Sequence, residues 1–121
     1  MNAMLRVDIQ SSPPAVTLVC CGRIVLGVEA ETLRCMAMSR AERLVLVEMS
    51  RVYAIDAAGL GLLVELHQWA QKRGASLVVA NPSLRPRQLM RLTNLDQVLH
   101  LAGADGGVAG RDAKEWRFMT A

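Results

Sequence analysis

Apolar positions along the chain switch between two spacings, short β-branched runs and longer stretches with apolar residues three and four apart, and this alternation predicts strand and helix in turn. Residues 5–9 and 15–20 are short apolar segments separated by Ser11-Ser12-Pro13-Pro14. The prolines stop one strand and set up the next, so the two are expected to pair. Beyond Gly22 and Gly27, residues 29–38 bring Leu33, Met36 and Ala37 to helical spacing, with Glu29 and Glu31 near the positive N-terminal end. Residues 44–49, Leu-Val-Leu-Val-Glu-Met, form a nearly continuous apolar run, short enough for a strand covered on both faces and therefore central.

The segment that follows is the most informative. Asp56 can cap a helix, its carboxylate accepting from the free amides of the first turn, and the pattern then runs to Arg73 before Gly74 ends it. Leu60, Leu63, Val64 and His67 share one face, widened by Leu62, Leu66, Trp69 and Ala70. Glu65, Gln68 and Lys72 leave only a narrow polar stripe, so most of this helix is expected to lie buried against a sheet. Residues 76–80 read as another strand. Asn81-Pro82-Ser83 reads as a turn with Ser83 as cap of a further helix, which carries Pro86 in its first turn and ends near Asn94. Leu95, Val98, Leu99 and Leu101 close the ordered part. The expected division is a domain over 1–102 and, over 103–121, a glycine-rich linker with a tail carrying Trp116, Phe118 and Met119, able to dock as a strand or half-helix. Strands alternating with helices around an apolar central strand argue for an α/β sandwich, its parallel part built with right-handed crossovers.

Composition narrows the function. Of 121 residues, 52% are hydrophobic and 21% charged, the balance of a chain that forms a core, while only 3% are aromatic, so Leu, Val, Ala and Met must fill it. A net charge of +3 is too small and too scattered to imply a nucleic-acid partner. No apolar run approaches the roughly 20 residues needed to span a bilayer. Arg6 and Asp8 interrupt what would have to be the apolar part of a signal peptide, so a cytoplasmic protein without direct membrane insertion is expected. Cys20, Cys21 and Cys35 include an adjacent pair and no C-x-x-C spacing, and are expected to be buried, reduced thiols.

Catalytic signatures are missing. The two histidines, His67 and His100, sit in no recognisable motif, and His67 is expected to be a packing histidine with its polar atoms satisfied. Glu65 and His67 do not form the H-E-x-x-H spacing of a zinc site. Gly59-Leu60-Gly61 lacks the third glycine of a dinucleotide fingerprint, and no Gly-Lys-Ser/Thr closes a phosphate loop. Arg85, Arg87 and Arg91 cluster without stacking aromatics and read as a solvated helix face. The expectation is a protein that is not an enzyme and uses neither metal nor cofactor.

The run Leu46-Val47-Glu48-Met49-Ser50-Arg51-Val52, followed by Ile55-Asp56-Ala57-Ala58-Gly59-Leu60-Gly61-Leu62-Leu63, resembles the signature region of STAS domains of the anti-sigma-factor-antagonist type. Their pattern is an apolar strand, then Asp-Ser-Ser/Thr-Gly-Leu opening a helix. The likeness continues through Gly74, Leu77-Val78-Val79, Asn81-Pro82-Ser83 and Leu92-Thr93-Asn94-Leu95, covering roughly residues 5 to 101. It implies a mixed sheet of about 4–5 strands backed by helices, and a regulatory module that binds a kinase-type anti-sigma factor and is regulated by phosphorylation of a Ser or Thr in that signature; the sequence leaves a homodimer open. The partner-facing positions it implies are Gly22, Arg23 and Ile24 in the second loop, Asp56, Ala57, Ala58, Gly59, Leu60 and Gly61 at the helix start, and Asn81, Pro82 and Ser83. Asp56 can equally be read as a cap alone, and Gly59 as a close-packing residue alone.

Two departures from the pattern matter. Both acceptor positions are alanine, Ala57 and Ala58, so phosphorylation at the usual place is excluded. That implies a constitutively binding or differently regulated member, with Ser50 and Tyr53 nearby as substitute acceptors or as strand-end packing. Glu48 stands where the family commonly has Asp, a change expected to matter less. The Ser-Arg-Val and Gly-Leu-x-Leu-Leu segments also resemble the small STAS subunit that binds the ATPase of a bacterial phospholipid ABC transporter, which needs no such switch.

Overall fold

In the computed structural model, which describes residues 4–103, β1 (Leu5–Ser12) and β2 (Ala15–Ile24) form an antiparallel hairpin in register from Leu5 opposite Gly22 to Ser12 opposite Ala15. Alternation along β2 sends Val16, Leu18 and Cys20 into the core and leaves Thr17, Val19 and Cys21 half-buried on the opposite face. The chain then repeats one step three times. Helix α1 (Val28–Met38) leads to β3 (Leu44–Ile55), α2 (Ala57–Lys72) to β4 (Ser76–Ala80), and α3 (Leu84–Leu92), with a short 3-10 turn at Leu95–Gln97, to β5 (His100–Ala102). The sheet order is β1-β2-β3-β4-β5, and each pair after the first is parallel.

Sequential parallel strands joined by right-handed crossovers put every connecting helix on the same face. Accordingly Leu33 of α1, Leu63 and Leu66 of α2 and Met90 of α3 share one apolar cluster with Val16, Leu18, Val45, Val47, Met49, Leu77 and Val79 of the sheet. A second, smaller cluster joins Leu44, Leu46, Val78, Ala80 and Ala102, all strand residues.

The expected fold class is the observed one, with differences at the ends of elements. β3 continues past Met49 to Ile55, because Arg51, Val52, Ala54 and Ile55 pair with Cys21, Gly22, Arg23 and Ile24 across two register shifts. By the same pairing Gly22, Arg23 and Ile24 lie in β2 and not in a loop. The final short strand, β5, carries no period of its own and is recognised only through its pairing with β4. Cys20 is buried, Cys21 half-buried and Cys35 exposed, so burial of all three thiols does not hold. His67 is buried on α2 as expected, but its Nδ1 has no hydrogen-bond partner, and its ring meets His100 edge-on with centroids 5.1 Å apart. Beyond Gly103, the expected linker and tail lie outside the described residues.

Candidate functional site

The loops that follow β2, β3 and β4 gather at one end of the sheet, where the carboxyl ends of parallel strands meet the starts of α1, α2 and α3. Asp56 organises the middle of this end. It is extended, with φ −113° and ψ −174°, and its Oδ1 accepts from the Gly59 amide at 2.8 Å, capping α2. Its Oδ2 accepts from the Leu26 amide at 3.0 Å, so the same carboxylate ties the β2–α1 loop to the start of α2. The Leu26 amide, more than any other group, holds the Asp56 carboxyl below its ordinary range. Gly59 is fixed by contact, since a Cβ there would lie 2.1 Å from the Ile24 carbonyl oxygen. Gly61, one helical step farther, faces open space.

Around this start the surface is apolar. Ala57 is exposed, and Ala58 lines an open groove with Leu26, Val28, Ala30 and Met36. Arg34, also at the groove, reaches Glu31 at 3.0 Å and bonds Glu65 of α2. Leu26 is 77% exposed, Val28 64%, Tyr53 53% and Leu84 58%, a set of large apolar side chains at one end of the sheet. Isolated exposed apolar residues are ordinary, and these four stand at or near the ends of adjacent strands.

The third loop is built from β3 and β4. Asn81 takes the left-handed conformation, φ 51°, donates from Nδ2 to Glu48 Oε2 at 2.7 Å, and donates its amide to the Ala102 carbonyl at 2.6 Å. Glu48 Oε1 accepts from the Ser50 amide at 2.9 Å and the Ser50 hydroxyl at 2.7 Å. One carboxylate therefore shapes the exit of β3 and the loop after β4. Pro82 is buried. Ser83 occupies the N-cap of α3 but makes no capping bond, because its hydroxyl donates to the Val52 carbonyl instead.

The positions implied by resemblance thus divide. Asp56, Ala57, Ala58 and Gly61 stand at the surface around the start of α2, and Asn81 and Ser83 are pinned beside it to β3. Gly59, Leu60, Pro82 and Ile24 are buried, with Ile24 wholly in the core. Gly22 packs against β1, a Cβ there falling 2.0 Å from the Met4 carbonyl oxygen. Arg23 Nη2 donates at 3.2 Å to the buried Glu29, whose carboxyl is held below its ordinary range chiefly by backbone amides, its own and that of Met4. Sequence reasoning passed over Leu26, Val28 and Leu84, and gave Glu48 too small a part. The signal for Glu48 was available, as the lone acid inside an apolar strand run. Among the described residues no three His, Cys, Asp or Glu side chains gather in a metal-binding group, and no helix is long and apolar enough to cross a membrane.

Residues 6–104 match the family model described as STAS domain. Among solved structures, a Thermotoga maritima protein classed as an anti-sigma factor antagonist superposes with a TM-score of 0.75 at 15% identity, over 93% of this chain and 92% of that one. An anti-sigma factor antagonist from Mycobacterium paratuberculosis gives 0.69 at 18% identity, covering 81% and 85%. The unphosphorylated form of the anti-sigma factor antagonist SpoIIAA, a Bacillus cell fate determinant, gives 0.67 at 14% identity, covering 94% and 95%. No curated protein matches the chain.

Proposed function

The chain belongs to the STAS domain family, and from that premise we propose that it is a non-enzymatic binding module of the anti-sigma-factor-antagonist type, working in the cytoplasm. A kinase-type anti-sigma factor docks on the loop end of the sheet. The observation that carries this reading is the exposed pair Leu26 and Val28 lining a groove with Ala58 at the start of α2, in a loop tied there by Asp56, with Tyr53 and Leu84 also exposed toward the loop end of the sheet. The binding unit is residues 1–102, followed by a linker and tail.

Docking here lacks the usual switch. A phosphate adds about −1.5 to −2 charges, enough to expel an apolar partner by desolvation and repulsion. Ala57 and Ala58 carry no hydroxyl to accept one, and the Ser50 hydroxyl is engaged by Glu48. The bound state is then constitutive or differently regulated, with the exposed Tyr53 as the remaining substitute acceptor. The same two alanines favour a second reading, the small subunit bound to the ATPase of a phospholipid ABC transporter, where no switch is needed.

Ala58→Asp separates these readings and tests the surface together. At the second position of α2 an added carboxylate sits near free amides and the positive end of the helix, so the fold tolerates it. Wild-type protein is expected to capture a kinase-fold anti-sigma factor from its native lysate, and Ala58→Asp to lose it with an unchanged circular-dichroism spectrum. Capture of an ABC ATPase establishes the second reading. Equal capture by both proteins removes the α2 start as the docking surface.

A further inference from the structure

Strand β1 forms one edge of the sheet, and native edges are ordinarily blunted by bulges, prolines or lysines. This one has none of them. It runs eight residues, Leu-Arg-Val-Asp-Ile-Gln-Ser-Ser, in unbroken register with β2 from Leu5 opposite Gly22 to Ser12 opposite Ala15. Its start is anchored, since the Met4 carbonyl accepts from the Arg23 amide at 2.6 Å and the Met4 amide donates to Glu29 at 3.2 Å. Backbone groups alternate in an antiparallel ladder, so Met4, Arg6 and Asp8 turn theirs toward β2 while Leu5, Val7 and Ile9 turn theirs outward. Among the described residues no strand meets those outward groups. Side chains divide by face. Val7 and Ile9 stand opposite Cys20 and Leu18 on the helix side, where Leu5 and Val7 join the core cluster but Ile9, beyond it, is 41% exposed. Arg6 and Asp8 stand on the other face, both exposed.

We propose that a second copy of the chain pairs at this edge, β1 running antiparallel to β1 about a two-fold axis through Val7. In that register Val7 faces Val7 of the second copy, Leu5 faces Ile9, and Arg6 faces Asp8. Every opposition is complementary, apolar on the helix side and of opposite charge on the other face. Shifting the axis loses this. Through Arg6 or Asp8 it sets like charges directly opposite each other, and through Leu5 or Ile9 it pairs neither charge with its opposite. Val7 also turns its backbone groups outward, so the axis passes through a pair that exchanges both of its hydrogen bonds. An axis perpendicular to the sheet keeps the helices of both copies on one side and joins the two sheets into one. The free edges that remain are both β5, only three residues long, so the assembly closes at two copies. Because β1 lies two strands from β3, whose end leads into α2, this pairing is independent of the partner reading above.

Sedimentation equilibrium of the full chain over a concentration series should show a reversible monomer–dimer equilibrium. Arg6→Asp and Asp8→Arg each turn two opposed charge pairs into like pairs, and each should raise the dimer dissociation constant roughly tenfold. Their circular-dichroism spectra should be unchanged, because both side chains are exposed and their β2 neighbours are the uncharged Cys21 and Val19. An equimolar mixture of the two variants should recover dimerisation, as should the double variant Arg6→Asp, Asp8→Arg. In unaltered protein mixed from isotope-labelled and unlabelled chains, a nuclear Overhauser contact is expected between Arg6 Hα of one molecule and Asp8 Hα of another. Within one strand those two positions lie about 7 Å apart, so the contact reports the register between copies. A wild type that stays monomeric at millimolar concentration overturns the proposal, and so do single variants that dimerise as the wild type does. Weakened variants that neither mixing nor double substitution restores, or intermolecular contacts in another register, overturn it as well.

Discussion

Gly59 and Gly61 sit two residues apart in one motif, and the structure gives them opposite roles. A Cβ on Gly59 would meet the Ile24 carbonyl oxygen at 2.1 Å and Ile55 Cγ1 at 2.6 Å, so Gly59→Ala must push α2 away from β2 and β3. Overpacking of this kind costs about 1–3 kcal/mol. Gly61 lies inside α2 with nothing near its missing Cβ, so Gly61→Ala should instead stabilise by about 0.4–1 kcal/mol through helix propensity and a less free unfolded chain. Urea midpoints for the two variants should move in opposite directions, and a shift of both to lower urea would refute this account of Gly61. The cap at Asp56 was legible, because a carboxylate before a long apolar helix has few other uses. Its second bond, to the Leu26 amide thirty residues earlier, was not, since no local pattern records which distant loop will come to rest beside a helix start.

Elements were legible where their period was strong and lost where pairing alone defines them. The α2 pattern predicted its inward face, of which Leu60, Leu62, Leu63, Leu66, His67 and Ala70 are buried and Val64 and Trp69 half-buried, because a sixteen-residue helix repeats the signal several times. The outer half of β3 offers no such repetition. Ser50 and Arg51 break the apolar run, and the strand continues only because β2 pairs with it beyond two register shifts. Strand alternation nonetheless ranks the thiols. On β2, Cys20 faces the core and burial, more than the nearby Glu48 and Cys21 charges, pushes its thiol up to about 12, while Cys21 faces the other side and Cys35 stands exposed on α1. A maleimide at pH 8 should modify Cys35 first and Cys21 more slowly, and reach Cys20 only on unfolding. Peptide mass spectrometry of timed samples gives the order, and early labelling of Cys20 would show that the β2–α1 packing opens readily.

For the molecule as a whole, the contact between α2 and the last strand couples folding to pH through a buried imidazole. His67 is 6% exposed, its Nδ1 has no partner, and the ring facing it belongs to His100. Burial first, and the charge of His100 second, hold the His67 pKa below its ordinary 6.5. The unfolded chain therefore takes up a proton near pH 6.5 that the folded chain refuses, and stability falls with pH below that point at a slope of up to about 1.4 kcal/mol per unit, levelling only once the folded form is protonated as well. The contribution of His67 fades above pH 6.5 and is essentially gone about one unit higher. The carboxyls of Glu29, Glu42 and Asp56 are held below their ordinary values, that of Glu42 at about 2 and mainly by its bond to Arg40, so what they contribute is lost only under more acid conditions. The interval from pH 7 to 5 thus isolates the histidine. His67→Leu removes an unpartnered buried polar atom at little cost to packing, so its melting temperature at pH 7.5 should equal or exceed that of the wild type. Between pH 7 and 5 its melting curve should stay nearly flat while the wild type declines. Parallel declines in the two proteins would place the acid sensitivity elsewhere and leave the His67–His100 contact a matter of packing alone.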